Sequence, residues 1–68
     1  MAFYYVNKKA QDNGDHEVHT STCTHLPIED NRLYLGIFDN CTLAVKEAKK
    51  HYTQSNGYYY CSNACHTS

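Results

Sequence analysis

Cysteine and histidine residues form two short clusters that lie far apart in the chain. His19 and Cys23 have three residues between them, and Cys61 and Cys65 repeat that spacing, with His66 following directly. Thiolate and imidazole are the donors that Zn²⁺ prefers in tetrahedral structural sites. Two closely spaced pairs of this kind, each on a turn, are typical of small zinc-binding domains. The spacing therefore indicates a zinc site that joins two distant parts of the chain.

The same cysteines allow other interpretations. Cys23, Cys61 and Cys65 can be thiols without a metal, or they can form a disulfide. We expect Cys41 to be an unpaired core residue, because a free cysteine packs as a small hydrophobic side chain. A thiol nucleophile, Cys61 or Cys65 activated by a histidine, is a further alternative. Little chain remains to build a substrate pocket, so we expect no catalysis.

Length and charge limit the class of protein. The chain has 68 residues, which is enough for a single domain with one small core. Domains of this size usually need a disulfide, a metal or a partner chain for stability. A net charge of −1 excludes a dedicated duplex-DNA binder. No apolar run approaches the roughly 20 residues of a transmembrane helix, and the first residues do not resemble a signal peptide. We therefore expect a cytoplasmic protein, whose cysteines that compartment keeps reduced.

Three strands are predicted in the first part of the chain. Residues 3–7 are aromatic and β-branched, and residues 17–20 resume an extended pattern after the Asn13-Gly14 turn signal. These two segments predict a β-hairpin, and residues 33–38 predict a third strand.

A helix and a final strand follow. Asn40 is a suitable N-cap for a helix that runs to about Tyr52, with apolar residues at helical spacing on its core face. These residues are Cys41, Ala44, Val45, Ala48 and Tyr52. Tyr58-Tyr59-Tyr60 predicts a last strand that runs into Cys61. The order β-β-β-α-β predicts an α+β fold over residues 1–68, with one helix on a three- or four-stranded, mostly antiparallel sheet.

The order of these features resembles the Ada-type zinc-binding fold and its small bacterial relatives. In that family a strand runs into a ligand-x3-Cys turn and a leucine, and a capped helix and a closing cysteine pair follow. The corresponding residues here are Val18-His19, Cys23 to Leu26, Phe38 to Asn40, Ala44, and Tyr58 to Cys65. The resemblance covers about residues 16–66 and implies a zinc-stapled domain.

Carried over to this chain, the resemblance implies that the zinc ligands are His19, Cys23, Cys61 and Cys65. The closing pair has three intervening residues where the family usually has two, so His66 is the alternative to Cys65. In the Ada repair domain the first ligand is a cysteine that accepts a methyl group from a DNA phosphotriester. His19 has no thiolate, so that chemistry is not expected here.

The direction of His19 sets a geometric condition on this site. In a regular strand His19 points to the face opposite Val18, so it reaches a shared metal only if the strand ends or twists there. His16 and His25 are spare candidates for a ligand.

The chain also resembles short bacterial proteins that share the segment Gly14–His19 and the ending Cys65-His66-Thr67, a resemblance that implies no function.

We predict a binding or interaction module that structural zinc stabilises. The sequence leaves the partner unknown: a protein is favoured over a nucleic acid because of the charge, and no membrane is expected. The alternative is a metal-free structural or interaction domain, and a small thiol enzyme is the third.

Overall fold

In the computed structural model, which describes residues 1–59 and 61–66, one helix packs on a four-stranded sheet. The elements are β1 (Ala2–Asn7), β2 (His16–Thr20), β3 (Arg32–Phe38), α1 (Cys41–Ala48) and β4 (Ser55–Gly57), with 3-10 turns at Glu29–Asn31 and Asn63–Cys65. This confirms the α+β fold with one helix and the predicted order of elements. In the described part of the chain, no helix has the length and apolar character needed to cross a bilayer.

The sheet has the strand order β3-β1-β2-β4. Its first three strands pair in antiparallel fashion, with β1 between β2 and β3. β4 lies on the outer side of β2 and runs parallel to it, and Gly57 pairs with Val18. The sheet is therefore mixed, and the one parallel pair brings the last part of the chain alongside β2.

The final strand differs in position from the prediction. Residues Ser55–Gly57 form β4, whereas the sequence favoured the tyrosines that follow them. Tyr58 continues the alignment, because its N–H donates to the carbonyl oxygen of Val18 (2.9 Å), and Tyr60 lies outside the described residues. Asn56 and Gly57 both belong to β4 and are buried beside β2.

The helix packs on one face of the sheet through small side chains. Its buried residues are Cys41, Ala44 and Ala48, and they contact a core formed with Tyr4, Val6 and Val18 of the sheet. Asn40 caps the helix, since its side-chain oxygen accepts a hydrogen bond from the Leu43 N–H (3.1 Å). The cap and the core face are as predicted.

The helix is shorter than predicted. It ends at Ala48, and the carbonyl oxygen of Ala48 accepts from the N–H groups of both His51 (2.9 Å) and Tyr52 (2.8 Å). These turns carry Tyr52 back to the core, where its partly buried ring packs.

The opposite face of the sheet carries a second set of side chains. Tyr5 and His19 are paired across β1 and β2, and strand alternation places both on the face that the helix does not cover. The chain after β2 turns back at Thr20, whose carbonyl oxygen accepts from the Cys23 N–H (3.1 Å). The end of β2, where the chain turns, holds the candidate site.

Candidate metal centre

His19 is the buried member of the site. Its side chain lies near the end of β2, and the residue is only 3% exposed. Its ring stacks on that of Tyr58, with centroids 4.3 Å apart. Burial, together with the nearby imidazole of His25, lowers the pKa of His19 from 6.5 to about 4. The imidazole is therefore neutral at pH 7, which is the form that binds a metal.

Cys23 is positioned by a turn that follows β2. Its N–H donates to Thr20, and its own carbonyl oxygen accepts from the Leu26 N–H (3.1 Å). These two hydrogen bonds hold the partly buried Cys23 beside the end of the strand. The ligand-x3-Cys spacing thus has a structural cause, because the turn returns Cys23 toward His19.

Cys61 comes to the same place from the other end of the chain. After β4, the Ser62 N–H donates to the Tyr58 carbonyl oxygen (2.8 Å), which turns the chain over the sheet. The Sγ atom of Cys61 then lies 3.8 Å from Nδ1 of His19. Burial and a hydrogen bond with the Cys23 thiol raise the pKa of Cys61 to about 11, although contacts with Thr20 oppose the shift.

Together the three residues form a group that can hold a metal ion. One ligand atom from each of His19, Cys23 and Cys61 lies within 4.8 Å of the others. Two sulfurs and one imidazole nitrogen suit zinc and other thiophilic metals. The geometric condition on His19 is met because β2 ends at Thr20, one residue after His19.

Cys65 is not in this group, which corrects the predicted ligand set. It forms a disulfide with Cys41, with Cα atoms 6.1 Å apart, and a disulfide sulfur is not a thiolate ligand. The same bond corrects the expectation that Cys41 is unpaired, although Cys41 is buried as predicted. The sequence offered little sign of this pairing, because an even number of cysteines is compatible with many arrangements.

The other histidines that the sequence singled out have different surroundings. His66 donates through Nδ1 to the Gly57 carbonyl oxygen (3.1 Å). His16 donates through Nδ1 to the Asn7 carbonyl oxygen (2.9 Å) and stacks on Tyr52. The His25 ring lies 5.6 Å from that of Tyr58, so it is near the site. Among the described residues, none of the three histidines belongs to the metal-binding group.

A cavity opens beside the two thiols. Its volume is about 470 Å³, and Cys23 and Cys61 form part of its wall. The other described residues of its lining are the threonines Thr20, Thr22 and Thr24. They alternate along the chain around Cys23, but no motif in the sequence singles them out.

Comparison of the chain with family models, with curated proteins and with solved structures gives no match. The resemblance to the Ada-type fold therefore stays a prediction.

Proposed function

We propose that this chain is a small interaction module without catalytic activity, and that zinc bound by His19, Cys23 and Cys61 stabilises it. One observation carries the proposal: donor atoms from a strand, a turn and the chain after β4 lie within 4.8 Å of one another. A role in a common site explains why two thiols from distant parts of the chain lie beside a buried imidazole. The Ada-type resemblance predicts these three ligands together with Cys65, and it is part of this proposal for the three.

Zinc would have a clear structural effect in this fold. The described part of the core has only two large side chains that are fully buried, Val6 and Val18, and small domains of this kind usually need a cross-link. The disulfide joins the helix to the turn at residues 63–65. A metal at the end of β2 would join that strand to Cys61, so the last segment would be held at both Cys61 and Cys65.

An exposed apolar surface supports the interaction role. Phe3 and Ile37 are paired across β1 and β3, and the Tyr34 ring lies 6.3 Å from that of Phe3. All three side chains are about half exposed. Exposed apolar groups that adjoin one another are typical of protein-binding surfaces.

A metal-free interaction domain is the second candidate. The closeness of the Cys61 and Cys23 sulfurs, which lie within 4.8 Å of each other, favours it, because two adjacent thiols can also oxidise to a disulfide.

The Cys41–Cys65 disulfide bears on the cellular compartment of the protein. Such bonds are rare in the cytoplasm, so the predicted cytoplasmic location and this disulfide favour different compartments.

Zinc content separates the two candidates. The purified protein is incubated with excess zinc, dialysed against metal-free buffer and analysed for bound metal. We expect one zinc per chain, loss of zinc in His19→Ala, and retention in the matched variant His66→Ala. A wild-type protein without stoichiometric zinc, or equal loss of zinc in both variants, would contradict the proposal.

A further inference from the structure

The metal centre leaves one coordination position without a protein donor in the described part of the chain. Zinc in protein sites is almost always four-coordinate, and three protein ligands with one external ligand make a common arrangement. The group formed by His19, Cys23 and Cys61 supplies three donors. We propose that a small carboxylate anion occupies the fourth position, an inference that rests on the proposed metal site.

The cavity beside the thiols has the place and the size for such a ligand. Both ligand cysteines, Cys23 and Cys61, line it, so a molecule in the cavity lies next to a metal held by them. Its volume is about 470 Å³, whereas a water molecule occupies about 30 Å³. The cavity therefore has room for several non-hydrogen atoms in addition to a donor atom.

The lining favours an oxygen anion over a second soft ligand. Apart from the two cysteines, its described residues are threonines, and hydroxyl groups donate hydrogen bonds to anionic oxygens. Thr20 already contacts Cys61, which leaves Thr22 and Thr24, both exposed to solvent. A carboxylate suits this arrangement, because one oxygen binds the metal while the other accepts a hydrogen bond from a threonine.

Charge favours a monoanion. Zn²⁺ with two thiolates and a neutral imidazole is a centre without net charge, so it has no excess positive charge to balance a second or third negative charge on the ligand. No lysine or arginine is among the described residues that line the cavity, and phosphate groups are usually bound by such side chains. We therefore expect acetate and similar monocarboxylates to bind more tightly than inorganic phosphate.

Cobalt substitution tests the proposal. Co²⁺ takes the same ligands as Zn²⁺ and has visible bands that report its coordination. Protein in excess over Co²⁺ is titrated with acetate, with the neutral analogue acetamide, and with phosphate. We expect acetate to shift the visible bands and the other two to leave them unchanged. A short peptide with a free terminal carboxylate, compared with its amide, tests whether a chain terminus also supplies the ligand.

Threonine variants test the role of the cavity wall. In Thr22→Val with Thr24→Val we expect the metal affinity to be retained and the acetate affinity to fall at least about fivefold, the effect of losing one hydrogen bond. The exposed Thr53, which does not line this cavity, provides the control variant Thr53→Val. That variant should bind acetate like the wild type.

The outcomes distinguish this inference from the proposed function. If Co²⁺ gives strong thiolate-to-metal bands and acetate changes nothing, the carboxylate proposal is wrong and the metal site stands. Phosphate binding as tight as acetate binding, or an equal effect of the control variant, also overturns it. If Co²⁺ gives no thiolate-to-metal band, the metal site itself is wrong.

Discussion

The Nδ1 atom of His19 lies 3.8 Å from the Sγ atom of Cys61, although 42 positions separate the two residues. The contact depends on the parallel pairing of β4 with β2, which carries the chain after Gly57 past the end of the strand that holds His19. A metal between these atoms would therefore bind only the folded chain. Metal affinity and folding stability should be coupled.

This coupling predicts that a chelator lowers the melting temperature. At a free zinc concentration about 1,000 times the dissociation constant, binding adds about 4 kcal/mol to stability. For a domain of this size we expect the melting temperature to fall by more than about 10 °C when a strong chelator removes the ion. Differential scanning calorimetry with and without chelator measures the change.

The variant Cys61→Ser serves as the control for that experiment. It lacks one of the thiolates, so chelator should leave its melting temperature unchanged. If the wild-type protein also melts at the same temperature with and without chelator, zinc does not stabilise the fold.

The burial of His19 predicts a pH dependence in the metal-free protein. Its pKa in the folded state is about 4, against an ordinary value of 6.5. Between these values the unfolded state binds more protons, so stability is fully present above pH 6.5 and is lost as the pH falls toward 4. The expected loss is about 3 kcal/mol.

Urea unfolding of metal-free protein at several pH values between 4 and 7 measures this loss. His19→Gln should remove most of the pH dependence, whereas His51→Gln should retain it, because the His51 side chain is 45% exposed. If the unfolding free energies of His19→Gln and of the wild type depend on pH to the same extent, groups other than His19 cause the dependence.

The disulfide predicts a specific count of thiols. In metal-free protein purified without reductant, we expect alkylation to modify Cys23 and Cys61 alone, since Cys41 and Cys65 are joined. The bridged residues are 24 positions apart, and closing a loop of that length stabilises a protein by about 3 kcal/mol. Replacing both bridged cysteines with alanine should lower the unfolding free energy by about that amount. Four alkylated cysteines in untreated protein would contradict the pairing.

The parts of the fold that the sequence predicts are those with local causes. The cap at Asn40 and the helical spacing of Ala44 and Ala48 act within a few residues, and the structure has both. The position of β4 has no local cause: Ser55–Gly57 is a polar segment that forms a strand only because the edge of β2 lies beside it. The tyrosines that follow have the higher β-propensity, and propensity alone favoured them.

The site was predictable in part for a similar reason. The turn after β2 follows from short-range spacing, and it places Cys23 near His19 as expected. Whether Cys61 or Cys65 meets them depends on how the chain crosses the sheet edge after Gly57, which is a long-range property. Cys65 and Cys41 could not be paired from sequence, because four cysteines allow three complete pairings.

Opposite faces of the helix predict different responses to substitution. Ala48 is fully buried, so Ala48→Asp places an unpaired charge in the core and should prevent folding. Lys49 is exposed, and Lys49→Ala should change the unfolding free energy by less than about 0.5 kcal/mol. Circular dichroism and urea unfolding measure both effects. Equal destabilisation by the two variants would show that the face of the helix that packs in the core has been assigned wrongly.

The surroundings of Gly57 show how closely the chain at residues 62–65 packs on β4. A Cβ atom at this position would lie 2.6 Å from the Ser62 carbonyl oxygen and 2.7 Å from the Cβ of Cys65. Either distance requires the turn at residues 63–65 to move, and that turn is fixed by the disulfide to the helix. Gly57→Ala should therefore lower the unfolding free energy by about 1–3 kcal/mol.

The effect of Gly57→Ala isolates this contact, because Gly57, unlike Gly14 and Gly36, does not have a positive φ. An alanine there meets a steric barrier and no backbone strain. The displaced turn follows Cys61 directly, so the same variant should also weaken zinc binding, which a competition titration with a coloured chelator measures. Unchanged stability together with unchanged zinc affinity would show that the chain after Gly57 does not approach β4 this closely.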